Sequence, residues 1–186
     1  MRIAKVLCFS LVISIIFPGF SSAEVGPMSL AEMIKYSDCI VVGKIVRTKI
    51  NRKNIAEIAV SQNLKGDSSL RRVRFSSAPL WACDVSAAVE NEQGLFFLQK
   101  DPFGDPALRA LPPGEHDGVP LFFLAHSGRG RIIIQNLDGE DYVYAHKKSD
   151  LRFPTSLHYA RYPKPEDSEL GLIRLSDVVA YVSKRV

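Results

Sequence analysis

Cys39-Ile40-Val41-Val42-Gly43-Lys44-Ile45-Val46 is the stretch that decides the fold. It is a nearly continuous run of β-branched and apolar residues, too short for a helix of ordinary length, and it reads as a strand buried on both faces at its start. Arg47, Lys49, Arg52 and Lys53 then carry the chain into solvent. A second segment alternates, with Ala56, Ile58 and Val60 inward and Glu57 and Ser61 outward, and ends on Leu64-Lys65-Gly66. Val73 and Phe75, alternating with Arg72 and Arg74, form a third strand. Leu95-Phe96-Phe97-Leu98 form a fourth, again apolar on both faces. Upstream, Ser29 and Glu32 make a capping-box pair at the head of a short helix bearing Leu30, Met33 and Ile34 and ending near Ser37. The fold class is therefore mainly β.

Downstream, five prolines and three glycines between Asp101 and Pro120 exclude regular structure, and a connection of that length is functional or mobile. Residues 121–147 read as an antiparallel meander with two legible turns. Asp138-Gly139 predicts a type I′ turn pairing Leu137 with Glu140. Ser127 to Gly130 predicts a loop pairing His126 with Arg131. With those registers, Phe123, Ile134, Val143, Ala125, Ile132 and Ala145 face the core. The opposite face carries rows of His126, Arg131 and His146, of Leu124, Ile133 and Tyr144, and of Phe122, Gln135 and Tyr142. A slip of one residue would exchange the faces. Residues 151–170, with Pro154, Pro163 and Pro165, form a second irregular segment, and Ser176 caps a last helix over residues 176–184.

The N-terminus has the features of an export signal. Arg2 and Lys5 precede an apolar core from Val6 to Phe17, Pro18 and Gly19 break it, and Ser21 and Ala23 offer small side chains for cleavage. That core is well below the roughly 20 residues of a membrane-spanning helix. Residues 1–23 are thus expected to be a signal peptide and residues 24–186 a single globular domain, secreted or periplasmic and without a transmembrane anchor. Cleavage removes two basic groups, so 24 Lys+Arg against 20 Asp+Glu becomes 22 against 20. A net charge of +2 does not call for a nucleic-acid partner. Cleavage also removes Cys8, leaving Cys39 and Cys83 of the three cysteines. In an oxidising compartment these are expected to pair, worth about 4 kcal/mol in the chain-entropy picture, the alternative being two separately buried thiols.

Asp38 ahead of Val42-Gly43-Lys44-Ile45-Val46, the strand end Leu64-Lys65-Gly66, Cys83, and Gly94-Leu95-Phe96-Phe97 together resemble the TIMP/netrin-like domains. The resemblance covers residues 30–99 and rests on Val42, Gly43, Leu64, Lys65, Gly66 and Phe97. It implies an OB-like, TIMP-like five-stranded β-barrel with a helix packed on it, extended here by the C-terminal antiparallel meander and flanked by short N- and C-terminal helices. It also implies a secreted binding or inhibitory role. TIMP-type inhibitors chelate zinc through a cysteine at the mature N-terminus, whereas this chain would begin Glu24-Val25-Gly26, so only the fold carries over.

No catalytic motif organises the remaining polar residues. His126-Ser127 lacks a nucleophile elbow. Glu115-His116-Asp117 are competent metal ligands, but neighbours in an extended segment point apart. Gly128-Arg129-Gly130 offers an anion cradle or simply a glycine-requiring turn. Trp81 beside Cys83 packs on a disulfide or serves as an exposed anchor. The candidate ligand-binding residues are His126, Arg129, Arg131, Tyr142, Tyr144 and His146, a mixed aromatic and basic face that is either open or covered by the chain's own 151–186 segment. The expectation is an exported, non-enzymatic binding or accessory protein for a protein or small-molecule ligand, with no cofactor and no metal. The alternatives are a protease inhibitor acting through the 101–120 loop and a hydrolase using His126 or His116.

Overall fold

A computed structural model of the chain describes residues 26–50, 54–77, 86–100, 118–126, 128–146, 151–160 and 170–186. The expected signal segment 1–23, Trp81, Cys83, residues 101–117 with His116, Ser127 and residues 161–169 lie outside the described residues. The described chain opens with β1 (Met28–Ser29) and α1 (Leu30–Tyr36). The capping box forms as its spacing predicts. Ser29 Oγ accepts from the Glu32 N–H at 3.2 Å, and Glu32 Oε2 accepts from the Ser29 N–H at 2.8 Å. Ser37 closes the helix, its N–H and its hydroxyl both donating to the Met33 carbonyl. The buried side is Leu30, Met33 and Ile34.

Five strands then close into a barrel: β2 (Cys39–Arg47), β3 (Ile55–Lys65), β4 (Arg72–Ser76), β5 (Gln93–Gln99) and β6 (Leu121–Leu124). The order around it is β5-β2-β3-β4-β6 and back to β5. Every pairing is antiparallel except β4 with β6, which is parallel. Cys39, Val41, Ile45, Ala56, Ile58, Val73, Phe75, Phe96, Leu98, Phe122 and Leu124 fill the lumen. The alternate residues of β2 and β5, namely Ile40, Val42, Leu95 and Phe97, belong to a second apolar core outside the barrel. This arrangement explains why those two strands read as apolar on both faces.

The second core is covered by β7 (Arg131–Leu137), β8 (Glu140–His146), β9 (Leu151–Arg152), β10 (Leu170–Arg174) and α2 (Leu175–Ser183). β7 pairs with β5 through Gly94, Leu95 and Phe96, β8 pairs with β7, and β10 pairs with β8, all antiparallel. Ile132, Ile134, Val143 and Ile173 pack with α1 and with Val178 and Val182 of α2. The two-residue strands β1 and β9 pair in parallel, tying the start of α1 to the segment after β8. Among the described residues, no helix is long and apolar enough to cross a membrane.

The Asp138-Gly139 turn forms with both φ angles positive, at 54° and 84°, and pairs Leu137 with Glu140, as a type I′ turn requires. The other turn does not form as the sequence suggests. β6 and β7 do not pair with each other; they lie end to end along one edge of β5, and the partner of Arg131 is Phe96 rather than His126. His126, Gly128 and Arg129 are looped out of this edge. The Gly130 N–H donates to the Ala125 carbonyl at 2.8 Å, the Ala125 N–H donates to the Phe97 carbonyl, and the Phe97 N–H donates to the Gly130 carbonyl. A Cβ at Gly130 would sit 2.5 Å from the Phe97 oxygen and 2.7 Å from the Ala125 nitrogen, so this closure needs glycine for space. The glycines that suggested a hairpin serve a bulge instead. The meander is consequently β7-β8-β10, and Phe122 and Leu124 point into the barrel. Two smaller corrections follow at the C-terminal end. Leu170–Arg174 is a strand adjoining the irregular segment, and α2 begins at Leu175 with no side-chain cap, so Ser176 lies inside it.

Candidate functional site

The six residues singled out in the sequence are dispersed by the bulge. His126 occupies its shoulder, half-buried, with φ at 51°. Hydrogen bonds from Ser29 hold the Glu32 carboxyl of α1 below its ordinary range, with a smaller Coulombic contribution from His126. Arg129 is half-buried in the same loop. Arg131 is committed elsewhere: its Nη1 donates to the Ala87 carbonyl, and its Nε lies 3.2 Å from Glu92 Oε1 without hydrogen-bond alignment. Burial pushes the Glu92 carboxyl up, and the Arg131 charge only partly offsets this. Tyr142 is buried, its hydroxyl donating to Glu140 Oε2 at 2.6 Å, while Arg174 Nε meets Glu140 Oε1 at 2.9 Å. Tyr144 is half-buried opposite Leu172, and the backbone of His146 pairs with Leu170. His126 therefore does not join Arg131 in a row.

The polar cluster that the fold does assemble lies on the outside of the barrel, across β2, β3 and β4. Two adjacent cross-strand rows run there, Arg47–Glu57–Arg74 and Lys44–Ala59–Arg72. Glu57 is 2% exposed and Arg74 1% exposed, and Arg74 Nε donates to Glu57 Oε2 at 2.9 Å. Arg47 donates through Nη2 to both carboxylate oxygens, at 3.0 and 2.9 Å. Arg72 Nη1 stands 3.6 Å from Oε1, close enough for Coulombic attraction but beyond hydrogen-bond reach. Burial alone would raise the Glu57 pKa, but the hydrogen bonds and charges of Arg47 and Arg74 outweigh it and hold the carboxyl below its ordinary value. The group is thus an ionised acid among several guanidinium groups.

A groove of about 300 Å³ adjoins these rows where β2 bends. It is lined by Val42, Gly43, Lys44, Ser61, Ile134 and Asp141, with Ala59 in its floor. Register shifts in the β2–β3 ladder at Val42/Gly43 and between Ile45 and Arg47 mark bulges, which re-aim side chains. Gly43 is required at the first of them, since a Cβ there would lie 2.5 Å from both the Ala59 oxygen and Ile58 Cγ2. Ser61 Oγ pins the bend by donating to the Val42 carbonyl at 3.0 Å. Among the described residues, no group of three or more His, Cys, Asp or Glu side chains is placed to hold a metal ion.

Cys39 is a free thiol in the barrel lumen, 2% exposed, and burial followed by the charge of Asp38 pushes it up to about 11. Its expected partner, Cys83, lies outside the described residues.

No family profile matches the chain, and no curated protein sequence matches it. The Glu57 cluster therefore rests on its own geometry. A sequence signal for it exists in hindsight: a glutamate on the outward face of one strand, followed in the next antiparallel strand by Arg72-Val73-Arg74, sets opposite charges on neighbouring strands of one face.

Proposed function

We propose that this chain is an exported, non-enzymatic binding or accessory module built on an OB-type barrel, and that its ligand lies on the outer face of β2, β3 and β4. The export reading is supported by the N-terminal pattern of residues 1–23. The OB-type reading is supported by the closed five-stranded barrel with a single parallel pairing. OB barrels bind ligands on the face of their second and third strands. Those strands here are β3 and β4.

One observation carries the proposal: among the described residues, that face sets three exposed cations, Lys44, Arg47 and Arg72, in the two rows that hold the buried Glu57–Arg74 pair. Their exposed positive charge beside a buried pair is chemistry for a partner. The test of the non-enzymatic reading is a turnover screen of purified protein against ester, peptide and glycoside substrates. No turnover is expected. Turnover abolished by His126→Ala would overturn the proposal in favour of a hydrolase.

A further inference from the structure

Arg74 is the buried cation bonded to Glu57. It is buried with it, is its direct cross-strand partner, and makes a charge-assisted hydrogen bond at 2.9 Å. Arg47 and Arg72 are further positive charge held at the same carboxylate, and both are more than half exposed, at 53% and 56%. Glu57 fixes Arg47 by accepting both bonds from one terminal nitrogen, so that Nε and Nη1 have no partner among the described residues. Arg72 makes no hydrogen bond to Glu57 at all. Two guanidinium groups oriented by one buried anion, with donors left over, form a fork suited to an oxyanion.

The neighbouring row extends the same surface. Lys44 and Arg72 flank Ala59, whose methyl side chain leaves the space between the two cations open. From there the groove leads to Val42 and Ile134, an apolar end next to the helix-covered core. Its volume of about 300 Å³ is at the small end of ligand pockets. We propose that Arg47 and Arg72, with Lys44 beside them, seat the phosphate or sulfate group of a small amphipathic molecule whose apolar part lies in the groove between Val42 and Ile134. This inference rests on the reading that the outer face of β2, β3 and β4 is the ligand face, and it adds the chemical class of the ligand.

The test is titration of the full chain with phenyl phosphate, phenyl sulfate, inorganic phosphate and benzyl alcohol, followed through the backbone amide resonances of Gly43, Ala59 and Arg72. The two phenyl esters are expected to shift these amides saturably, to bind at least about tenfold more tightly than inorganic phosphate, and to weaken as salt is added. Relative preference between phosphate and sulfate esters identifies which oxyanion the seat favours. Arg72→Gln, at an exposed position, is expected to weaken binding about tenfold, and Arg72→Gln with Lys44→Gln further, while Arg185→Gln changes nothing. Unchanged ester affinity in the Arg72→Gln/Lys44→Gln double variant would overturn the inference, as would the absence of saturable shifts at millimolar ester. Benzyl alcohol separates the two levels of failure. If it alone shifts Gly43 and Ala59, the face binds ligand but the anion assignment is wrong; if every probe leaves this face untouched and shifts amides elsewhere, the ligand-face reading itself is wrong.

Discussion

Glu57 Oε2 and Arg74 Nε lie 2.9 Å apart as direct cross-strand partners on the outside of the barrel, with only 2% and 1% of their side chains exposed. A buried pair of this kind costs much to break from one side and little to replace whole, because a lone buried charge is what the fold cannot accommodate. Glu57→Gln is expected to lower the unfolding free energy by about 3 kcal/mol. The double variant Glu57→Leu/Arg74→Met should cost clearly less than Arg74→Met alone. Urea midpoints of these variants and of Glu57→Leu check this, and a double variant as unstable as Glu57→Leu and Arg74→Met summed would show that the two side chains are not coupled.

The same carboxylate makes stability depend on acid. Its folded pKa lies below the ordinary value of 4.5, so its contribution is fully present above that pH and is lost as pH falls through the folded value. Glu92 behaves in the opposite sense. Its folded pKa is raised above 4.5, so its ionisation removes stability as pH rises from 4.5 through the folded value. Thermal melts across the acid range should show the low-pH loss reduced in Glu57→Gln, relative to the variant's own neutral stability.

Cys39 offers a chemical readout of the barrel interior. A thiol pushed up to about 11 and screened from solvent is almost wholly protonated near neutrality and inaccessible. Iodoacetamide should leave it unmodified in the folded protein and modify it quickly in denaturant without reductant. Rapid labelling of the folded protein would contradict this, and resistance in denaturant, with a mass two hydrogens below the dithiol, would place Cys39 in a bridge.

Gly130 should be far less tolerant than Gly139. Gly139→Ala pays for a positive φ at an open turn, about 1 kcal/mol. Gly130→Ala must displace backbone atoms of Phe97 and Ala125, near the upper end of overpacking costs at about 3 kcal/mol. Chemical denaturation of both variants gives the comparison, and equal losses would mean that the bulge can open without disturbing β5.

The parts of the fold legible in the sequence are those governed by local chemistry. Ser29 and Glu32 set the first helix, Asp138-Gly139 set a hairpin, and the apolar faces of Val41/Val42 and Phe96/Phe97 announced strands buried on both sides. The 125–130 segment misled because a glycine that relieves steric crowding and a glycine that permits positive φ look alike in sequence. Only β5, whose Phe97 bonds both Ala125 and Gly130, distinguishes them. The misplacement of His126 follows from that single error of register. Glu57 was read as solvent-facing from the alternation of Ala56 and Ile58, and its outward direction holds. Its burial does not follow from alternation, since the outside of one strand can be the inside of another layer.

Because β5 carries β2 on one edge and both β6 and β7 on the other, it is the barrel strand on which the meander is hung. A chain ending after β6 would leave Leu95 and Phe97 without their covering layer, and the Gly94–Phe96 backbone as an open edge prone to aggregation. Barrel and meander should accordingly melt as one cooperative unit, with the β5 amides the last to exchange their hydrogens.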